Sequence, residues 1–170
     1  MMDNIQKKLF QLQDVGYGDF HSKLMPNIPR EKIIGIRVPV LRRFVKELSK
    51  AEKEDFLQQL PHIYYEENNL HGLIIMESKD YGSCIEELER FLPYIDNWAT
   101  CDMLRPKILR KHLPELLEKI YQWLSSEDTY SVRLAIGFLM SFYLDDGAYQ
   151  REYLAKVAEV SSQEYYVRMM

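Results

Sequence analysis

Cysteine is nearly absent: Cys84 and Cys101 are the only two in 170 residues. Two thiols make no disulfide framework, and their spacing matches no metal site. Free thiols suit a reducing compartment, so a cytoplasmic protein is expected. Glycine and proline are scarce as well, seven of each, which leaves room for long regular elements. No uncharged apolar run approaches the ~20 residues that cross a bilayer. Residues 1–12 carry charge where a signal peptide would be apolar. No segment alternates apolar and polar residues as a half-buried strand does. A glycine-rich phosphate loop and a GxSxG elbow are both missing. His21, His62, His71 and His112 fall at no ligand spacing, so neither a metal nor a cofactor is expected.

What remains is an ordinary globular composition, 46% hydrophobic and 28% charged, which argues for one packed domain over residues 1–170 and against disorder. A net charge of −4 looks unfavourable for a nucleic-acid partner. The charge is uneven, however. Residues 30–50 hold Arg30, Lys32, Arg37, Arg42, Arg43, Lys46 and Lys50 against Glu31 and Glu47, a local +5. Residues 103–113 hold Arg105, Lys107, Arg110 and Lys111 with no acid, a local +4. Two basic windows in an acidic background make the net charge a poor guide to partners.

Apolar residues recur at helical spacing nearly end to end. Asp3 is placed to cap a first helix carrying Ile5, Leu9, Leu12 and Val15, closed by Gly16. Asp19 is placed to cap a second with Phe20 and Leu24, stopped by Pro26. Val38-Pro39 opens a third whose stripe is Leu41, Phe44, Val45 and Leu48, with Arg42, Arg43, Lys46 and Lys50 off that stripe. Further helices are predicted over 53–60, 66–79 and 83–92. Asn97 is a good cap for a helix carrying Trp98 and Asp102, which Pro106 must end or kink. Patterns over 114–124, 130–144, 148–160 and 163–170 complete the chain. Short helices joined by short turns predict antiparallel pairs stacked in sequence, a helical-repeat solenoid of the HEAT or armadillo kind with a concave groove. A compact bundle is the competing architecture.

Few residues stand out as chemistry. His71, four residues after Glu67, reads as a surface or interhelical pair, and "YYEENN" (64–69) as a loop leading into a helix. "DNWATCD" (96–102) is different. It sets Trp98 and Asp102 one helical turn apart on the same face. An indole beside an acid is awkward core material, since a buried charge needs a partner. Arg133, in the otherwise apolar "SVRLAIGFL", emerges at the edge of a buried face. From these residues alone, a structural Asp102–Arg133 ion pair with Trp98 as packing is the commoner arrangement.

Three stretches together resemble the AlkD-like DNA alkylation repair family of helical-repeat DNA glycosylases. They are "IIGIRVPVLRRFVKEL" (33–48), "DNWATCD" and "YSVRLAI" (130–136). The likeness runs from about Phe20 to the end of the chain. It implies a right-handed α-α superhelix whose concave, basic face binds duplex DNA, with release of cationic alkylated bases such as 3-methyladenine and 7-methylguanine. Carried onto this chain, the resemblance puts Trp98 against the deoxyribose and Asp102 beside the anomeric carbon. Arg133 then holds the backbone and orients the acid. The basic residues Arg37, Arg42, Arg43, Lys46, Arg105, Lys107, Arg110 and Lys111 become phosphate contacts. The family continues past "EYYVRMM" with more helices and a second sugar-contacting tryptophan, so this chain is expected to lack the C-terminal helices.

Three functions follow in order of preference. The first is a monofunctional glycosylase with Asp102 catalytic. The second is a helical module that grips DNA without cutting the glycosidic bond. The third is a scaffold whose groove holds a protein helix, which the basic windows disfavour. The oligomeric state stays open, with a monomer as the default.

Overall fold

Capping side chains decide where five of these helices begin. The structure is a computed structural model and describes residues 4–144 and 147–170, so Asp3 lies outside the described residues. Among the described residues the regular elements are all helical. By contact the chain divides into two compact units, Met1–Ile75 and Met76–Met170.

The first unit holds five α-helices: α1 (Asn4–Gln11), α2 (Val15–Ser22), α3 (Val38–Glu47), α4 (Lys50–Leu57) and α5 (Tyr65–Ile75). The second helix starts earlier than its sequence pattern suggests. Asp14, rather than Asp19, is its cap, accepting from the Tyr17 N–H at 2.9 Å. Val15 and Gly16 therefore fall inside α2 instead of closing α1. Asp19 lies mid-helix and pairs with Arg30 at 2.8 Å, while Phe20 and Leu24 face solvent.

Helix α3 opens at Val38-Pro39 as predicted, proline's missing N–H costing nothing in a first turn. Its stripe Leu41, Phe44, Val45 and Leu48 is buried, and Arg42, Arg43 and Lys46 are exposed. Helix α4 begins at a capping box, in which Ser49 and Glu52 satisfy each other's backbone N–H. Helix α5 packs on α3 and α4 and is buried along its whole length. Of "YYEENN", Tyr64 alone precedes the helix, which starts at Tyr65, one residue before its pattern suggests, and is buried from there on.

The second unit holds α6 (Tyr81–Phe91), α7 (Trp98–Met103), α8 (Leu113–Leu124), α9 (Thr129–Phe142), α10 (Arg151–Ala158) and α11 (Tyr165–Arg168). Helix α9 is the centre of this unit, in contact with α7, α8 and α11. Its side chains are buried all round, including Leu134, Ala135, Phe138 and Leu139. A helix apolar on every face is one that neighbours surround. Asp80 and Asp128 cap α6 and α9 by accepting from the N–H three residues on. A 3-10 turn over Lys107–Lys111 links α7 to α8.

Candidate functional site

Asn97 sets the geometry of α7. Its side chain is fully buried, and its Oδ1 accepts from the Thr100 N–H at 2.8 Å. That bond satisfies one of the otherwise orphaned first-turn donors and fixes the angle at which α7 starts. Trp98 is the first residue of the helix and is half-buried. Asp102 follows one turn later on the same face. The helix stops at Met103, three residues before Pro106, so the acid sits in its last turn. Between the two, Cys101 turns inward against the Tyr130 carbonyl. Burial pushes its thiol up to about 12, as it does that of Cys84, so neither is a poised nucleophile.

Arg133 meets Asp102 with two parallel bonds. Its Nε donates to Oδ1 at 2.8 Å and its Nη2 to Oδ2 at 2.6 Å. A third donor, Nη1, reaches the Tyr166 carbonyl of α11 at 2.6 Å. The two partners differ in exposure: the Arg133 side chain is 6% accessible and that of Asp102 33%. Burial pulls the guanidinium's pKa down, but the bond and charge of Asp102 outweigh this and the net shift is upward. The result is a carboxylate that faces water on one side and is held in a fixed plane by a cation beneath it. A bidentate fork of this kind fixes orientation as well as charge.

The basic residues separate into two groups. Arg37, Arg42, Arg43 and Lys46 are exposed at and along α3. Lys107, Arg110 and Lys111 are exposed on the turn before α8, with Arg110 also donating to the Ser141 carbonyl at the end of α9. Arg105 is spent internally. Its Nε donates to the Ser141 hydroxyl at 2.7 Å, its Nη1 to the Leu104 carbonyl, and its guanidinium lies over Phe138. Gly137 makes room for it, because a Cβ there would come within 2.5 Å of Nη2. Burial lowers the Arg105 pKa, partly countered by Cys101 and Asp102.

Other polar residues carry weight that the sequence pattern concealed. Glu66 is wholly buried and accepts from three successive backbone N–H groups, Ile34 at 2.8 Å, Gly35 at 2.7 Å and Ile36 at 3.1 Å. Burial pushes its carboxyl pKa up, against the pull of those bonds. Glu67 accepts from the Ile63 and Tyr64 N–H groups and from Gln6. His71 is buried rather than on the surface and shares a 2.9 Å hydrogen bond with His62. The signal available was capping spacing: Glu67 lies three residues after Tyr64, where a side chain can reach back to the backbone.

A cleft of about 670 Å³ lies in the second unit, lined by Tyr121, Thr129, Val132, Lys156 and Val167 among others. Trp98, Asp102 and Arg133 are not among its lining residues. No group of three or more ligating side chains suited to a metal occurs among the described residues. No helix of the described residues is long and apolar enough to cross a membrane.

Fold and site thus define a protein whose described residues are all-helical where regular, with a part-exposed acid on a buried arginine in the second unit and exposed cations on α3 and on the 107–111 turn. Residues 5–164 match the family model described as DNA alkylation repair enzyme, and the chain belongs to that family. Neither the curated proteins nor the solved structures contain a significant match to it.

Proposed function

We propose that the protein binds duplex DNA and hydrolyses the N-glycosidic bond of cationic alkylated purines such as 3-methyladenine and 7-methylguanine, with Asp102 as the catalytic carboxylate. The observation that carries this reading is the bidentate Arg133–Asp102 pair, in which the guanidinium is buried and the carboxylate is not. Here one oxygen edge is braced and the other side of the acid faces solvent.

The chemistry follows from charge. An N-alkylated purine is cationic, so it departs with the C1′–N electron pair as a neutral base and needs no general acid. The sugar left behind carries oxocarbenium character, which an adjacent carboxylate stabilises. Water then attacks C1′ and loses its proton to solvent or to Asp102. Trp98, one turn away, supplies a flat apolar surface for the deoxyribose. Arg133 orients the acid, and its low exposure favours that role over a direct grip on a phosphate. The exposed cations of α3 and of the 107–111 turn are assigned to the phosphate backbone, on the inner face of a HEAT-like superhelix.

Base release from methylated duplex DNA, wild type against Asp102→Asn, tests the assignment. Asn keeps the shape and one acceptor but removes the charge, and a loss of roughly a hundredfold in rate is expected, the scale of one electrostatic contact to a developing charge. Equal release by both proteins would remove Asp102 from the mechanism. Tight duplex binding with no release by either would leave a non-catalytic DNA-binding module.

A further inference from the structure

Arg37 stands at the start of α3 with a side chain 59% exposed, and its Nη2 donates to Asp14 Oδ2 at 3.3 Å. Its guanidinium lies over the Tyr17 ring, 4.4 Å from the centroid. Tyr17 stacks in turn on His21, and His21 shares a 3.0 Å hydrogen bond with the buried Tyr65. The aromatic platform under the arginine is therefore backed by the core.

Asp14 performs two tasks with two oxygens. Oδ1 accepts from the Tyr17 N–H and caps α2, while the arginine's bond is to Oδ2. The Tyr17 bond is the main reason its carboxyl pKa is lowered, so it is ionised at neutral pH.

Both residues are mounted on one turn. The Asp14 N–H donates to the Gly35 carbonyl at 2.7 Å, and Gly35 is two residues before Arg37. Gly35 has φ +95°, and a Cβ there would run into the Asp14 carbonyl and the Gly18 backbone. Only glycine tolerates both the angle and the approach. Behind this turn, Glu66 holds the N–H groups of Ile34, Gly35 and Ile36. The acid and the arginine are thus placed together by the fold, not by the chance meeting of two flexible side chains.

We propose that Asp14 is a built-in competitor for a phosphate site on Arg37: it occupies the guanidinium in the free protein and is displaced by a phosphodiester of duplex DNA. The proposal rests on the DNA-binding reading above. A guanidinium fork fits two oxygens at once. Asp14 offers one, while a phosphodiester offers two, so the exchange favours DNA. An ion pair this exposed holds its partner only a few-fold. Once displaced, the carboxylate stays close, because the cap and the Gly35 bond hold it, and it repels the bound phosphate. Asp14 therefore trims affinity for any stretch of backbone, damaged or not, and keeps a searching protein from lingering.

The test is a double-mutant cycle on the full chain, reading fluorescence anisotropy of a labelled, unmodified duplex at low salt. The four proteins are wild type, Asp14→Asn, Arg37→Gln and the double variant. Asparagine caps as well as aspartate, so α2 is retained. Asp14→Ser, another capping residue, serves as a second variant, and thermal melts check the fold of each. Asp14→Asn is expected to tighten binding roughly two- to fivefold. Arg37→Gln should weaken it and lower the salt slope by about one. In the Arg37→Gln background the Asp14 substitution should have no effect. An equal gain in both backgrounds would make Asp14 a bulk charge only, and no gain, or a loss, would overturn the competition outright. If the wild type fails to bind the duplex at low salt, the DNA reading falls and this proposal with it. Binding without coupling overturns this proposal alone.

Discussion

Arg133→Lys keeps the positive charge beneath Asp102 and removes the fork. Lysine has three donors on one point and cannot give two parallel bonds to a carboxylate while a third reaches the Tyr166 carbonyl. The loss should fall on orientation: base release is expected to drop at least tenfold while duplex affinity changes less than twofold, compared by rate assay and anisotropy. Urea unfolding should show a cost of roughly 1–3 kcal/mol, below the 3–5 of a fully buried pair because Asp102 remains a third exposed. Unchanged release would mean that the pair only fastens α7 to α9. At this scale the sequence was informative about identity and silent about partners. Trp98, Asp102 and Arg133 stand out because their types sit oddly in their helices. Nothing local says that Arg105 turns inward over Phe138 while Lys107 and Lys111 stay in water.

Helix α7 is six residues long, too short to hold itself together without help from its ends and its neighbours. Asn97→Ala removes the buried cap that starts it. The unfolding free energy should fall by about 1 kcal/mol, within the 0.5–2 seen for caps, and base release should fall with it, because Trp98 and Asp102 ride on this helix. Asn97→Ser, which caps without setting a charge beside Asp96, should restore most of both, as measured by urea midpoint and release rate. A full loss of activity with Asn97→Ser would point to a role beyond capping for the amide, which donates to the Asp96 carboxylate. Caps and breakers were the most legible elements. Pro39, Asn97 and Pro106 stand where their chemistry requires. The α2 start was misplaced because Asp14 and Asp19 are equally good caps by type. The choice between them was made by Gly35, whose carbonyl takes the Asp14 N–H.

Over the whole chain the two basic windows dominate the expected behaviour with DNA. Their exposed cations, Arg37, Arg42, Arg43 and Lys46 on one side and Lys107, Arg110 and Lys111 on the other, lie in different units. If both contribute phosphate contacts, log Kd should rise steeply with log salt, by about 0.9 per phosphate neutralised. Reversing Arg42 and Arg43 to glutamate should weaken binding by at least tenfold and flatten that slope, measured by titration from low to moderate salt. A slope near zero in the wild type would remove nucleic acid from the account. Helical content was plain from composition and spacing. The burial of α5 was hidden, because "YEENNLHG" is polar by composition, and what holds Glu66 inside is the row of backbone N–H groups of Ile34, Gly35 and Ile36, just as His62 meets His71.

Sequence alone determined the helical class, most helix starts and the identity of the acid, the indole and the guanidinium. Caps, prolines and apolar spacing act over three or four residues, so they can be read without knowing the fold. Tertiary structure decided what those groups touch. Asp102 and Arg133 are 31 residues apart, and Ile34 and Glu66 are 32 apart. Such contacts come from the packing of α7 on α9 and of α5 on α3, which no local rule encodes. Whether a charged side chain is braced from below or left to water is a property of its surroundings, and those exist only once the chain has folded.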